Sequence, residues 1–468
     1  MQLKFFSILF FLLALAVGSG SATGADGGLK VGAAKVDITG SLGPSQTGTY
    51  DHERVYVRAI VLDNEAARAA LISVESAHYD FDSAATLKAV GAELGCPLAN
   101  MIMSVSHTHS GSSVASAPPG KATPLLETSQ QVLEAVRKAE ARLQPAVMGF
   151  DTGSLYLNVN RDAIDPVTRK WTQYSNPDGP SDKTVAVLTF FKPTGEPIAV
   201  YVNYAMHPIN AYVLGVVTGD VPAAMSRYVE KAFGDEVIVA FSQGASGDQN
   251  PLYLRPSSNA MADRAGDKIT GFEINREKSE GPLRIATNQG PAVRDADPQR
   301  IDNLFRFIES EGQIFGEEVI RVMTWTKRRS GDVRIAGLQK VVSCPGRTRI
   351  NGDSMDPTTR EGVAGAYEDA PPVDLQMGVL GIGTVALASI DMEVYTQIGL
   401  RVKSEAPLTN TVFVTSANGK QRGYMPDDAS YGHQTFQVLN SRLKPGCAET
   451  AVVDTIVDLE TQYLTGAQ

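Results

Sequence analysis

Seven apolar runs of strand length set the main constraint on how this chain can fold. They are VRAIVLD (57–63), AALISVE (69–75), NMIMSVS (100–106), TVAVLTFF (184–191), IAVYVNYAMH (198–207), EVIVAFS (236–242) and TVALASID (384–391). Several are unbroken β-branched and apolar stretches, a pattern typical of strands whose sheet is covered on both faces. The chain therefore needs helices or further sheets to cover these strands.

Helix-like segments lie between the strands. One begins at Thr123-Pro124 and a second at Asp297-Pro298, each with a capping residue before a proline, and a third covers 448–464. The alternation predicts an α/β fold of the mixed α+β kind, with central mixed β-sheets flanked by helices. The polar, Gly-rich stretch 252–295 is interpreted as an excursion over the site. Since no linker divides 26–468, we expect one domain.

The N-terminus has the layout of a secretory signal peptide. Lys4 precedes the apolar run 5–17, and small residues follow in GSGSATGA. We expect residues 1–25 to be removed on export, which leaves a periplasmic or secreted protein; an uncleaved anchor is the alternative. The net charge of −10 argues against nucleic acid as a partner and against tight binding to anionic lipid.

Three cysteines, Cys96, Cys344 and Cys447, allow one disulfide with one thiol left over. Their order along the chain does not decide which two pair. Their spacings match no cysteine metal motif, so a metal would have to be bound by histidine and oxygen ligands.

The segment SVSHTHSG (104–111) places two of the six histidines directly after a predicted buried strand. In extended backbone, His107 and His109 point to the same side and can face one cavity. Neutral imidazole is a common zinc ligand, so the pair is a candidate metal site. The alternative is that one histidine is a hydrogen-bonded packing residue.

Two further segments end predicted strands with polar side chains. His207 in NYAMHPI precedes a proline, where strand pairing stops and a side chain can face a cleft. In FSQGASGDQNP, small residues allow close approach of a ligand, and Asp248 and Asn250 follow them. Asp220 is interpreted as the N-cap of a helix over 221–233.

Two downstream residues carry no local mark of a binding role. Glu393 in SIDMEVYTQIGL has the position of a carboxylate in the first turn of a helix, and Tyr424 lies in the turn-like RGYMPDDASYG.

Taken in order, these segments resemble the N-terminal catalytic domain of the neutral/alkaline (non-lysosomal) ceramidase family. The resemblance rests on VGAAKVDITG, VYVRAIVLD, SHTHSG, NVNRD, NYAMHP, GDVPAAMSRYVE, FSQGASGDQNP, IDMEVYTQIG and GYMPDDASYG. It spans nearly all of 26–468, and the ordered set is more specific than any one motif.

The resemblance implies a zinc-dependent amidohydrolase that cleaves an N-acyl amide, in ceramide or a related small-molecule or lipid substrate, by metal-activated water. The zinc ligands it implies are His107, His207, Glu393 and Tyr424, with Tyr431 as the alternative to Tyr424.

The candidate catalytic residues are His109, Arg161, Asp248 and Asn250. His109 would carry a proton to the leaving nitrogen, Arg161 would hold the oxyanion, and Asp248 would orient a metal ligand. A lipid substrate would bring the protein into transient contact with a membrane surface.

The sequence departs from the family pattern at Asn250, which stands where the family has a serine implicated in hydrolysis. An asparagine is no comparable nucleophile, although its amide can donate a hydrogen bond to a carbonyl or an oxyanion. We also expect no C-terminal immunoglobulin-like domain. Two alternatives therefore stay open: a zinc hydrolase of a different amide or ester, and a non-catalytic exported binding protein on the same fold.

Overall fold

The strands and helices described here come from a computed structural model. It describes residues 28–39, 54–79, 81–110, 124–165, 168–211, 217–253, 298–355, 361–419 and 422–466. The signal-peptide prediction for 1–25 and almost all of the predicted excursion at 252–295 lie outside these residues. The strands are β1 Lys30–Asp37, β2 Tyr56–Asp63, β3 Arg68–Val74, β4 Met101–Val105, β5 Gln144–Pro145, β6 Val147–Ser154, β7 Asn158–Ile164, β8 Trp171–Asn176, β9 Thr184–Phe191, β10 Pro197–Tyr204, β11 Ile238–Gln243, β12 Gln249–Pro251, β13 Arg329–Ser330, β14 Ile335–Arg349, β15 Tyr367–Ile382, β16 Val385–Ile390, β17 Glu393–Val394, β18 Asn410–Val414 and β19 Tyr424–Met425.

Helices lie between these strands. They are α1 Ser83–Leu94, α2 Pro124–Glu140, α3 Asp220–Ala232, α4 Pro298–Trp325, α5 Thr396–Glu405, α6 Phe436–Asn440 and α7 Ala448–Thr465. In the described part of the chain, no helix is both long and apolar enough to cross a bilayer.

Three large sheets share one core. The first has the order β4-β3-β2-β1-β5, the second β11-β10-β9-β6-β13 and the third β14-β15-β16-β18. Leu71, Leu188 and Leu387, one from each sheet, belong to the same buried apolar cluster. The apolar runs in the sequence therefore form strands that meet at the centre of the molecule.

Helices cover the outer face of each sheet. Val136 of α2 packs with the first sheet, Phe315 of α4 with the second, and Ile456 of α7 with the third. This cover explains why β3, β10 and β11 are buried along almost their whole length. The predicted mixed α+β fold with flanked mixed sheets is confirmed.

Each large sheet contains one parallel strand pair among antiparallel neighbours. The pairs are β3–β4, β10–β11 and β16–β18. Their carboxyl ends lie together, since the amide of Thr415, after β18, donates to the carbonyl of Gln243 at the end of β11 (2.9 Å). The amide of Val105, at the end of β4, donates to the carbonyl of Ser416 (3.4 Å).

Two details differ from, or complete, the sequence interpretation. The prediction that Asp220 is an N-cap is wrong: α3 begins at Asp220 and its N-cap is Gly219. The Asp220 carboxylate instead accepts from the amides of Val221 (2.7 Å) and Ala211 (3.0 Å), which ties the loop after His207 to α3.

The cysteine pairing that the sequence left open is Cys344–Cys447, and Cys96 is a buried free thiol.

Candidate metal centre

Three candidate ligands lie just after the carboxyl ends of strands in the three parallel pairs. His107 follows β4 by two residues, His207 follows β10 by three, and Glu393 follows β16 by three. Because parallel strands present their carboxyl ends at one edge, and these three edges meet, the three side chains converge. The fold thus joins residues that are 100 and 186 positions apart.

The donor atoms form an equilateral triangle. Nε2 of His107 lies 3.2 Å from Nε2 of His207, and each lies 3.2 Å from Oε2 of Glu393. A tetrahedral zinc ion with ligands at about 2.0–2.1 Å separates its donor atoms by about 3.3 Å. The triangle therefore has the size of a zinc site.

Hydrogen bonds fix which nitrogen of each imidazole faces the centre. Nδ1 of His107 lies 3.0 Å from the carbonyl oxygen of Ala77, and Nδ1 of His207 lies 2.8 Å from that of Ser246. A carbonyl oxygen only accepts, so both Nδ1 atoms carry the proton and both Nε2 atoms turn a lone pair to the centre. With the Glu393 oxygen, three electron-pair donors face one another, an arrangement that a cation stabilises.

Electrostatics favour the ligand forms of these groups. Burial and the neighbouring Arg161 lower the pKa of His207 to about 3. Burial acts to raise the pKa of Glu393, but the imidazoles of His107 and His207 hold it well below its ordinary value. At neutral pH, His207 is therefore neutral and Glu393 ionised, as metal binding requires.

His109 adds a third imidazole to the centre. One ring nitrogen from each of His107, His109 and His207 lies within 4.8 Å of the other two. The backbone amide of His109 donates to the carbonyl of Pro208 (3.1 Å), the residue after His207. Burial, with the two neighbouring imidazoles, lowers the pKa of His109 well below its ordinary value.

Strand pairing places Tyr424 beside Glu393. In the two-stranded parallel ladder of β17 and β19, Glu393 is in register with Tyr424, so their side chains lie on the same face. Tyr424 Oη accepts from Arg161 Nη2 at 3.4 Å. The alternative, Tyr431, instead donates its hydroxyl to the carbonyl of Leu443 at 3.1 Å.

Arg161 links several parts of the site from a buried position on β7. Besides Tyr424, its Nη2 donates to the carbonyl of Gly247 (2.6 Å), and its Nη1 donates to Oδ1 of Asn250 (3.2 Å). Its hydrogen bonds thus connect β7 with β12, with the turn before β12 and with β19.

Asp248 contacts the backbone near the ligands. Its carboxylate accepts from the amide of Thr396 and from Nδ2 of Asn160, both at 2.8 Å. Thr396 begins α5, three residues after Glu393. Burial raises the pKa of Asp248 to about 7, and the nearby charge of Asp162 adds to this effect. Asp248 therefore fixes the segment that follows Glu393.

The sequence interpretation did not single out His78. Its ring lies 6.3 Å from the ring of His107, and its side chain is exposed. His78 follows the end of β3 by four residues, much as His107 and His207 follow their strands. The same strand-end signal would have identified it.

Asp220 and Glu311 form a buried acidic cluster next to the loop that follows His207. Nδ2 of Asn210 donates to Glu311 on α4 (2.6 Å), next to Asp220. Burial raises the pKa of Asp220 to about 6, while burial and the charge of Asp220 raise that of Glu311 to about 8. These groups hold the 208–211 loop against α3 and α4.

Comparison with known proteins identifies the fold. No protein-family model matches this sequence, and no curated protein matches it. A solved structure described as a ceramidase complexed with C2 matches with a TM-score of 0.67 and 15% identity, covering 94% of this chain and 76% of its own. The neutral ceramidase from Pseudomonas aeruginosa matches with a TM-score of 0.65 and 16% identity, covering 94% of this chain and 75% of its own. The likeness confirms the expected neutral-ceramidase-like fold.

Proposed function

We propose that this protein is an exported zinc-dependent hydrolase of the neutral ceramidase type, which cleaves an N-acyl amide such as ceramide or a related N-acyl lipid. The observation that carries the proposal is the triangle of Nε2 of His107, Nε2 of His207 and Oε2 of Glu393, with edges of 3.2 Å. Both imidazoles have their protons committed to carbonyl oxygens on the far side. A non-catalytic binding protein would not require such a ligand set.

The residues around this triangle have separate tasks. Zinc bound there would lower the pKa of a coordinated water from near 16 to about 7, which supplies hydroxide at neutral pH. His107, His207 and Glu393 would hold the ion, and Tyr424, in register with Glu393, would complete the set. His109, beside both ligand imidazoles, is the group that passes a proton to the leaving nitrogen.

The substrate class follows from the structural neighbours and from one residue of this chain. Both neighbours are described as ceramidases, which supports an N-acyl lipid and a transient contact with a membrane surface. Asn250 favours a second candidate, a different amide or an ester, because it places an amide where the resemblance implied a serine. A panel of N-acyl sphingosines, other N-acyl amides and acyl esters separates the two candidates.

Export is supported by the disulfide and by the sequence of the first 25 residues. Disulfides such as Cys344–Cys447 persist in oxidising compartments and are rare in the cytosol. The N-terminus of the secreted protein, determined by mass spectrometry, tests the cleavage site near residue 25.

The first prediction tests the metal centre. The purified protein should contain one zinc per chain by elemental analysis and should hydrolyse a short-chain N-acyl sphingosine. His207→Ala should lose both the zinc and the hydrolysis, because one corner of the triangle is missing.

His433→Ala is the matched control, since this histidine bonds to Asp162 and stacks on Trp171 instead of facing the centre. It should keep its full zinc content. Hydrolysis that persists in fully metal-free protein would refute the proposal.

A further inference from the structure

Asn250 occupies a buried position beside the metal centre, with only 6% of its surface exposed. It lies on the short strand β12, next to Gln249, whose carbonyl oxygen is 3.1 Å from Nδ1 of His207. β12 pairs with β7, which carries Arg161. Asn250 is therefore fixed by the same backbone that fixes a metal ligand.

Arg161 decides which way the Asn250 amide faces. A guanidinium group only donates hydrogen bonds, so the atom of Asn250 that lies 3.2 Å from Arg161 Nη1 must be the oxygen Oδ1. The amide nitrogen Nδ2 then faces away from Arg161. No residue in the described part of the chain accepts a hydrogen bond from it, and it is not among the fully enclosed polar atoms. A fixed N–H donor without a partner among the described residues is thus left next to the Arg161 guanidinium.

The hydrogen bonds of Arg161 point to a positioning role for this residue. Its two terminal nitrogens donate to Gly247, Asn250 and Tyr424, and its Nε is enclosed in the protein. The carbonyl of Gly247, the side-chain oxygen of Asn250 and the phenol oxygen of Tyr424 all accept hydrogen bonds from the guanidinium. Arg161 therefore orients the Asn250 amide, and the oxyanion contact that the sequence analysis expected of Arg161 passes to that amide.

We infer that Nδ2 of Asn250 is the donor that binds the substrate carbonyl oxygen and stabilises the oxyanion formed from it. The inference rests on the proposed function and names the residue that sets its substrate class, an acyl compound with an accessible carbonyl oxygen. The oxygen of water bonds to the carbonyl carbon, the carbon–nitrogen bond breaks, and the nitrogen takes a proton. The products are a carboxylate and an amine, and Asn250 forms no covalent bond.

The test compares Asn250→Asp with Asn250→Ala. An aspartate keeps the shape and the contact with Arg161 but, when ionised, has no hydrogen to donate. Since loss of one oxyanion donor costs about 10²–10³ in kcat, both variants should fall by that factor on a short-chain N-acyl sphingosine. KM should change little, because the bond strengthens only in the transition state.

Two further measurements separate this role from a structural one. Zinc content should stay at one per chain in both variants. Asn250→Ala should also bind a phosphonate analogue of the N-acyl substrate about tenfold to a hundredfold more weakly, since it loses a hydrogen bond to a charged oxygen. Asn351→Asp, an exposed asparagine on a loop, controls for the added charge and should match the parent protein.

The outcomes for the inference and for the proposed function differ. An Asn250→Asp variant that keeps the parent kcat would overturn the inference and leave the zinc hydrolase in place. A parent protein without zinc and without hydrolysis would overturn both.

Discussion

At the scale of single residues, Gly247 is the position where the segment that contacts Arg161 packs against the strand that carries Glu393. A Cβ at this position would lie 2.9 Å from the carbonyl oxygen of Glu393 and 3.0 Å from backbone atoms of Val394. The Gly247 amide also donates to the carbonyl of Val394 (2.8 Å), and its carbonyl accepts from Arg161. Only glycine allows the backbone that holds Arg161 to approach the strand that carries Glu393 this closely.

We predict that Gly247→Ala weakens zinc binding and hydrolysis together. The added methyl group meets backbone atoms, which cannot rotate away, so Glu393 must move relative to the two imidazoles. Such overpacking costs about 1–3 kcal/mol of stability. Zinc affinity measured by competition with a chromophoric chelator checks the effect.

Gly432→Ala is the matched control, because a Cβ there meets nothing within 4 Å. Equal zinc affinities for the two alanine variants would show that the close contact at Gly247 is unimportant.

The sequence marked some of these residues and not others. His107 and His207 follow apolar runs directly, so their place at strand ends could be predicted. Glu393 also follows an apolar run, 384–391, but a carboxylate there is equally typical of the first turn of a helix, and Tyr424 follows no apolar run. Their proximity depends on a two-residue parallel ladder between segments distant in the chain. They entered the candidate set only through the family resemblance. The hydrogen bond between Arg161 and Asn250 likewise depends on strand pairing that the sequence does not display.

At the scale of secondary-structure elements, the buried acidic cluster between α3 and α4 makes stability depend on pH. The pKa of Glu311 is raised from its ordinary 4.5 to about 8, so the folded protein binds this proton more tightly than the unfolded chain does. The resulting stability is fully present below the unfolded pKa and is lost as the pH rises toward 8.

We predict that the free energy of unfolding falls by roughly 2–4 kcal/mol between pH 5 and pH 8 because of this group. Glu311→Gln keeps the shape and cannot ionise, so the variant should lose most of that fall. Urea unfolding at both pH values measures it.

Glu309→Gln, on the same helix, removes only a surface ion pair with Arg227 and should leave the pH dependence unchanged. A parent protein whose stability does not fall over this range would contradict the assignment.

Strands that are buried along their whole length could be predicted from the sequence, and strands that are partly exposed could not. All seven apolar runs form strands, with ends within three residues of those expected, and the helices starting at Pro124 and Pro298 begin as predicted. The long hairpin of β14 and β15 was missed. Most of its length is exposed or half-buried, and prolines 345, 371 and 372 lie within it, so no apolar run marks it.

At the scale of the whole molecule, the disulfide joins β14 to the start of α7 across 103 residues of chain. Cross-linking residues so far apart restricts the unfolded chain more than the folded one. The pairing could not be predicted, because cysteine spacing does not encode which strand and helix end become neighbours.

We predict that replacing both Cys344 and Cys447 with serine lowers the free energy of unfolding by about 2–4 kcal/mol. Zinc content should stay unchanged, because neither cysteine contacts the site. When unfolding is measured in denaturant with a reducing agent, the free energy of unfolding of the parent protein should fall to that of the variant. The reducing agent should leave the free energy of unfolding of the variant unchanged. A parent that is insensitive to reduction would contradict the prediction.

Because three sheet edges meet at the candidate metal centre, the residues of the centre are synthesised at widely separated times. A ribosome that has released only the first 392 residues presents two imidazoles without their carboxylate partner, and the phenol of Tyr424 follows later still. Binding of a metal ion at this triangle, as proposed above, would therefore wait until most of the polypeptide has been made and its sheets have docked. An ion bound there, as the proposed function requires, would link strands made early with strands made late, so its removal by chelation should loosen the whole fold as well as empty the site.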